Sequence, residues 1–202
     1  MFKPLRAVFC AMMVAALSAG AASAQDFGDR YWQCAPFARL VSGIQIFGNA
    51  GTWWNQADGR YERGNAPEAG AVLVFKATGR MRYGHVATVT EVVDARTVKV
   101  THANWSPING ARGQVEENVE VVDVSDANDW SEVRVWYAPL SDLGNGSHPT
   151  YGFVYPDAQA VQLAAAVRED SVPAQIQLAS VAAAREVDAI GDLIGMTGAG
   201  IQ

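Results

Sequence analysis

The centre of the chain is a succession of short, valine-rich segments separated by turn residues, and this pattern limits the fold more than any other feature. Apolar and β-branched residues are concentrated in five such segments, at Ala71–Lys76, His85–Val93, Thr97–Asn104, Val115–Val124 and Val133–Tyr137. Segments of this length and composition predict strands. Since no helical pattern separates one strand from the next, we predict an antiparallel sheet in an α+β protein.

A short helix is predicted before the first of these strands. Its residues are Cys34–Ser42, with the larger apolar side chains on one side. Pro36 suits the first turn, where no backbone N–H partner is needed, and Gly43 follows as a helix end. Residues 48–67 are predicted to form a loop with one helical turn.

The first 24 residues have the three parts of a secretory signal peptide. Lys3 and Arg6 make a basic start, Ala7–Leu17 is an unbroken apolar run, and the Ala-Ser-Ala sequence at 22–24 supplies the small residues of a cleavage site. The apolar run is shorter than the roughly 20 residues that span a bilayer, so no stable membrane span is expected after the signal is removed. An uncleaved anchor is the alternative. The protein is predicted to be exported, to the periplasm or the extracellular medium.

Composition divides the remaining chain into a folded domain at 25–140 and a C-terminal part at 141–202. Residues 141–149 are polar and contain glycine, which predicts a linker. Residues 157–202 are rich in Ala, Val and Gln and contain no aromatic residue or cysteine. They predict an Ala-rich tail that is helical or disordered, and a protein that binds this tail is a further expectation.

Charge and cysteine content exclude several functions. The chain has 15 basic and 21 acidic residues, a formal net charge of −6. Loss of Lys3 and Arg6 with the signal leaves 13 basic residues against 21 acidic ones, a charge of −8. Nucleic-acid binding needs clustered basic residues, so no nucleic-acid partner is predicted. Because Cys10 leaves with the signal, the mature chain keeps one thiol, Cys34, and no intramolecular disulfide.

Cys34 is the candidate nucleophile because it begins the predicted helix. A helix N-terminus carries free N–H groups and a partial positive charge, which favour a thiolate. The backbone N–H of Cys34, with help from Gln33 or a neighbouring amide, is expected to hold an oxyanion beside the sulfur. The alternative is a buried structural cysteine, which is the usual state of a free thiol.

A cysteine nucleophile needs a base, and His85 is the best candidate among the three histidines. It begins a predicted strand, and Gly84 before it allows close approach of a ligand or a backbone. His148 lies in the predicted linker and is expected to be solvated. A third residue would orient His85. His102 and Asn104 end the same face of the next strand, and either is able to accept its hydrogen bond.

Four landmarks stand in order along the chain: Gln33-Cys34, Pro67–Phe75, Gly84–Val89 and His102–Trp105. Together they resemble the CHAP domain, a family of cysteine, histidine-dependent amidohydrolases and peptidases. The resemblance implies a papain-like fold in which N-terminal helices pack on an antiparallel sheet. It implies Cys34 as nucleophile and His85 as base. The family often has Glu at the position of His102, so the choice of third member between His102 and Asn104 stays open.

The resemblance also implies a secreted or periplasmic hydrolase that cleaves amide bonds in peptidoglycan through a thioester. The bond would be a peptide crosslink, cut by an endopeptidase, or the bond between stem peptide and muramic acid, cut by an N-acetylmuramoyl-L-alanine amidase. No metal and no other cofactor is implied. The alternative is a non-catalytic, envelope-binding module with the same fold. Candidate residues of a substrate groove are aromatic: Trp53, Trp54, Tyr61 and Trp105.

Overall fold

A computed structural model describes Phe27 and residues 30–170. The predicted signal peptide and most of the predicted tail lie outside the described residues. Within the described part of the chain, no helix is both long enough and apolar enough to cross a membrane.

The first helix is α1, Cys34–Ser42, as the sequence predicts. It buries the side chains of Ala35, Phe37 and Ala38. Gly43 ends it in the left-handed region with φ 73° and donates its N–H to the carbonyl of Arg39 at 2.9 Å. The helix therefore stops where a residue without a Cβ relieves the strain of that conformation.

Two further helices are present among the described residues. A 3-10 turn at Ala50–Thr52 leads into α2, Trp53–Gln56, which is the helical turn predicted for the loop. The third helix, α3, is Ala158–Asp170, and it packs against α1. A Cβ atom at Gly43 would lie 1.8 Å from the carbonyl oxygen of Ala160, so only glycine permits this approach.

The described residues form eight antiparallel strands: β1 Arg63–Gly64, β2 Val72–Phe75, β3 His85–Val92, β4 Thr97–Ala103, β5 Val115–Asp123, β6 Glu132–Tyr137, β7 Asp142–Leu143 and β8 His148–Val154. Their order in the sheet is β1-β8-β2-β3-β4-β5-β6-β7. Because β8 also pairs with β6, the sheet closes into a barrel. The predicted α+β class is confirmed, whereas the papain-like arrangement of helices on the sheet stays a prediction.

The β2 strand separates two apolar cores and is buried on both faces. Val72 and Val74 pack with α1 and α2, in a cluster that includes Trp53. Leu73 and Phe75 point to the other side, where they pack with apolar side chains of the other strands inside the closed sheet. Burial on both faces explains why this segment reads as a continuous apolar run and not as an alternating one.

The prediction of a linker at residues 141–149 is wrong. This segment contains β7 and the start of β8, and β8 lies between β2 and β6 as a structural part of the closed sheet. Pro149 lacks an N–H, but its carbonyl accepts a hydrogen bond from the N–H of Lys76 at 2.8 Å. The polar side chains and glycines of residues 141–149 give no strand pattern. The hydrogen-bond partners of β8 lie more than ten residues away in the chain, so no local signal predicts this strand.

Candidate active site

Cys34 is the first residue of α1 and is half-buried. Gln33 before it is extended, and no side chain caps the helix. Burial raises the pKa of the Cys34 thiol, although backbone N–H groups of Val86, Ala35 and Cys34 that donate to the sulfur lower it in part. The helix N-terminus therefore does not produce a resting thiolate, because desolvation of the charged sulfur outweighs it.

His85 begins β3 directly after a glycine that no other residue could replace. Gly84 has φ 70°, and a Cβ there would lie 2.5 Å from the backbone nitrogen of Gly51. The N–H of Gly51 donates to the carbonyl of Tyr83 at 2.8 Å, which ties the loop before α2 to the start of β3. This close packing of two backbones fixes the position of His85 at the mouth of the strand.

The imidazole of His85 contacts the imidazole of His102. Their Nε2 and Nδ1 atoms are 3.1 Å apart, and both residues are almost completely buried, with 3% and 1% of their surface exposed. Burial lowers the pKa of His102 to about 3. Burial also lowers the pKa of His85 well below its usual value, and electrostatic interaction with His102, His148 and Arg112 lowers it further. Both rings are therefore neutral near pH 7.

Asn104, the other candidate for the third position, has a different partner. Its φ of 65° lies in the left-handed region, which asparagine tolerates better than most residues. The side chain therefore leaves the alternation of β4, and its Nδ2 donates to Oε1 of Gln33 at 2.8 Å. Within the described residues, the geometry places His102 on His85, the predicted base, and Asn104 on Gln33, the residue before the predicted nucleophile.

Gln33 is held on two sides beside the sulfur. Its Oε1 accepts the bond from Asn104, and its Nε2 donates to the hydroxyl of Tyr31 at 3.3 Å. The predicted oxyanion residues Gln33 and Cys34 both face the same cavity. These two hydrogen bonds hold the Gln33 side chain between Asn104 and Tyr31, next to the residue that begins α1.

That cavity has a volume of about 1270 Å³ and contains both Cys34 and His85 in its wall. Asn104 and Trp105 also line it, whereas His102 lies behind His85. The indole of Trp105 packs against three imidazoles: its ring centroid is 4.9 Å from His85, 5.7 Å from His102 and 4.9 Å from His148. Its Nε1 donates to the carbonyl of Trp136 at 3.1 Å, which holds the ring in place.

Three of the four aromatic residues predicted to line a groove lie elsewhere. Trp53 is completely buried in the core beneath α2 and cannot touch a ligand, so the prediction is wrong for this residue. Trp54 stacks on Tyr151, and Tyr61 accepts a hydrogen bond from the N–H of Gln45 at 3.0 Å. Neither lines the cavity. These rings fill the core between the helices and β2, where the sequence pattern does not distinguish packing from binding.

Several residues of the site were missed by sequence reasoning. His148 is not a solvated linker residue: it begins β8, is half-buried and lines the cavity. Arg80, Arg82 and Arg112 line it too. Glu116 lies opposite His102 on the neighbouring strand, a juxtaposition that only the strand register reveals. Among the described residues, no three His, Cys, Asp or Glu side chains are grouped as a metal ion would require.

Comparison with known families bears on the same residues. Residues 25–104 match the family model of the CHAP domain, a range that includes Cys34, His85, His102 and Asn104. This range of the chain is therefore similar to the CHAP domain. No curated protein matches the chain. CHAP domains are generally hydrolases of the amidase or peptidase type, and the match suggests a function of that type associated with peptidoglycan.

Proposed function

We propose that this protein is a cysteine amidohydrolase that cleaves amide bonds in peptidoglycan. One observation carries the proposal: a cysteine at the first position of a helix and a histidine from a buried pair open on the same cavity. Nucleophile and base are thus supplied by separate elements that the fold brings together. The activity is either that of an endopeptidase or that of an N-acetylmuramoyl-L-alanine amidase.

The reaction starts from a neutral thiol and a neutral imidazole. Since Nε2 of His85 faces His102, Nδ1 is the ring nitrogen left to take the proton from Cys34. The sulfur then forms a bond to the amide carbon, and the carbonyl oxygen becomes an oxyanion held by N–H donors at the start of α1. Protonated His85 gives its proton to the leaving amine as the carbon–nitrogen bond breaks. A thioester with Cys34 remains.

Hydrolysis of the thioester restores the site. Neutral His85 removes a proton from water, the hydroxide adds to the thioester carbon, and the carbon–sulfur bond breaks to release a carboxylic acid. The proton on His85 returns to the sulfur. The lowered pKa of His85 keeps the ring unprotonated near neutral pH, and it makes the protonated ring a strong proton donor to the leaving amine.

The proposed location follows from the N-terminal sequence. A basic start, a short apolar run and small residues at 22–24 favour export. Peptidoglycan lies outside the cytoplasmic membrane, so an exported enzyme meets it in the periplasm or the extracellular medium. Nucleic acid is no part of the proposal because the chain is acidic.

The test is digestion of purified peptidoglycan by the wild-type protein, Cys34→Ala and Cys34→Ser, followed by mass spectrometry of the released fragments. We expect new amino and carboxyl termini with the wild type and neither with the two variants. The identity of the new terminus separates the endopeptidase from the amidase. Equal release by wild type and Cys34→Ala would exclude the thiol mechanism.

The alternative function is a peptidoglycan-binding module without turnover. The observation in its favour is His102, which stands where the family often has Glu, together with the protonated resting thiol. Sedimentation with purified sacculi separates the two functions. A binding module sediments equally as wild type and Cys34→Ala and releases no fragments, whereas the enzyme releases them only with Cys34.

A further inference from the structure

We propose that Glu116 is a positioning residue that sets the tautomers of His102 and His85 and so makes His85 a base. This inference rests on the proposed thiol mechanism. Glu116 lies on β5 directly opposite His102 on β4 and is 7% exposed. It follows the matched family range of 25–104, so the family comparison does not include it.

The Glu116 carboxylate approaches the far side of the His102 ring. Its Oε1 is 3.8 Å from Nε2 of His102, within the range of an ion pair and longer than a hydrogen bond. The same Oε1 accepts the backbone N–H of Ser106 at 2.7 Å, which fixes the carboxylate in place. It therefore presents an acceptor to His102 Nε2.

Two buried atoms at this contact have no other hydrogen-bond partner within the described residues. They are Nε2 of His102 and Oε2 of Glu116. Buried polar atoms in proteins are nearly always paired, because an unpaired one destabilises the fold. A small rotation of the carboxylate brings one of its oxygens to His102 Nε2 and satisfies the ring.

The tautomers follow from this contact. His102 is neutral and carries one N–H; with a carboxylate beside Nε2, the proton lies there and Nδ1 is bare. Bare Nδ1 accepts, so Nε2 of His85, 3.1 Å away, is the donor. His85 then carries its proton on Nε2 and leaves Nδ1 bare, which is the nitrogen that takes the proton of Cys34 in the proposed mechanism. The chain Glu116–His102–His85 thus does what a single carboxylate does in a triad: it holds the base in the tautomer that can accept a proton.

The first test compares Glu116→Gln with Glu117→Gln. The glutamine keeps an oxygen for the Ser106 N–H and loses the negative charge, and Glu117 is an exposed neighbour on the same strand that loses the same charge. We expect Glu116→Gln to lower kcat on peptidoglycan about tenfold or more with KM unchanged, because Glu116 does not line the cavity. Glu117→Gln keeps the wild-type kcat. An unchanged kcat in Glu116→Gln would overturn the proposal.

The second test needs neither a variant nor turnover. Proton–nitrogen correlation spectra of the wild-type imidazoles near neutral pH assign the protonated nitrogen of each ring. We expect Nε2–H in both His85 and His102, and Nδ1–H in either ring would overturn the proposal. Because the spectra use the wild-type protein, this test holds even where Glu116→Gln does not fold. If the wild-type protein does not hydrolyse peptidoglycan at all, the proposed function fails and the spectra still decide the tautomers.

A second inference comes from the charges that surround the cavity. The chain is acidic overall, yet Arg80, Arg82 and Arg112 line the cavity and no Asp or Glu is among its described lining residues. None of the three forms an ion pair with another described residue. Arg82 instead donates to the hydroxyl of Tyr83 at 3.0 Å. A concave surface lined by one sign of charge concentrates the opposite charge.

The geometry points to a substrate with free carboxylates next to the scissile amide, as in a peptidoglycan stem peptide. The test uses Cys34→Ala protein, so that binding is measured without turnover. It is titrated with a synthetic stem peptide with free carboxylates and with its carboxamide form. We expect the free acid to bind more tightly, and Arg80→Gln/Arg82→Gln/Arg112→Gln to weaken its binding about tenfold.

Arg168→Gln is the matched control, since Arg168 is exposed on α3 and does not line the cavity. The affinity of the Arg168→Gln protein for the free-acid peptide should equal that of the Cys34→Ala protein without this change. Added salt should weaken the binding of the free acid and leave the carboxamide unaffected. Equal affinity for the two peptides would overturn this inference, and because the assay measures binding alone, its outcome does not depend on whether the protein cleaves peptidoglycan.

Discussion

Two aromatic clusters of this protein contain a tryptophan and basic side chains, and they differ in charge. In the first, Trp54 stacks on Tyr151 with ring planes 12° apart. The guanidinium of Arg63 lies 5.0 Å from Trp54, and Nζ of Lys76 lies 5.2 Å from Tyr151. The two cationic side chains pack against the aromatic rings.

In the second cluster, Trp105 packs against His85, His102 and His148, and burial lowers the pKa of all three. An arginine in this position would keep its charge, but an imidazole loses its proton when it is desolvated. The same type of ring therefore packs against cations in the first cluster and against titrating groups in the second, where we propose that it supports chemistry.

The largest expected difference between the clusters concerns catalysis. We predict that His85→Gln lowers kcat on peptidoglycan by about 10² to 10⁴, because no group remains to take the thiol proton. Trp54→Phe, a change in the first cluster that keeps the stack on Tyr151, should keep the wild-type kcat. Initial rates of fragment release measure both. Similar losses in the two variants would show that the clusters do not differ in this way.

Trp54→Ala should affect stability and not chemistry. Removal of the half-buried ring takes away the contact with Tyr151 and leaves a gap beside β8, so we predict a loss of about 2–3 kcal/mol in the free energy of unfolding. Denaturant unfolding measures the loss, and kcat per folded molecule should not change. An unchanged free energy of unfolding would mean that the stack contributes nothing to the fold.

The histidine cluster should make stability depend on pH. The folded protein keeps His102 neutral down to about pH 3, whereas the unfolded chain takes up the proton near 6.5. Stability is therefore greatest above pH 6.5 and falls as the pH is lowered from 6.5 toward 3, by about 1.4 kcal/mol per pH unit from this residue. His85 and His148 act in the same direction, since their pKa values are lowered too.

His102→Gln tests the contribution of this ring. The free energy of unfolding is measured from pH 6.5 down to the range in which carboxylates titrate. It should fall less steeply with pH in the variant than in the wild type, and the difference in slope should correspond to the uptake of one proton. An equal slope in both proteins would mean that His102 binds its proton as readily in the fold as in the unfolded chain.

The smallest expected effect is that of one cation in the first cluster. We predict that Lys76→Gln lowers the free energy of unfolding by about 0.5 kcal/mol, since the ammonium over Tyr151 is partly solvated. Lys76→Arg keeps a cation there and should restore most of the loss. The effect should be the same at pH 5 and pH 7, as roughly constant charge is expected for a lysine. A loss that varies with pH over this range would contradict the contrast between the clusters.

Local sequence pattern was enough to predict α1 and the strands β2 to β6. In each, the apolar or branched residues recur within one short segment that has a turn on either side, so the information lies within the segment. The segment of β7 and β8 was taken as a linker for the opposite reason. Apart from Leu143, residues 141–149 are polar, glycine or proline. They form strands only through pairing: β7 pairs with β6, and β8 pairs with β6 and β2, which lie farther away in the chain.

The candidate site divides in the same way. Cys34 and His85 could be chosen from the sequence because a helix start and a strand start are local features. The choice between His102 and Asn104 could not, since strict alternation places both on one face. The left-handed backbone at Asn104 separates them, and that conformation depends on the contact with Gln33 from another element.

What the sequence determined by itself is therefore the set of reactive groups and the order of the elements that carry them: one thiol in the predicted mature chain, three histidines, and a helix followed by antiparallel strands. The tertiary structure decided which of these groups meet. It placed His85 against His102, Glu116 behind them, and arginines around the cavity. Contacts of this kind arise from strand register and sheet closure, which join residues far apart in sequence, and burial at those contacts is what makes the histidines neutral.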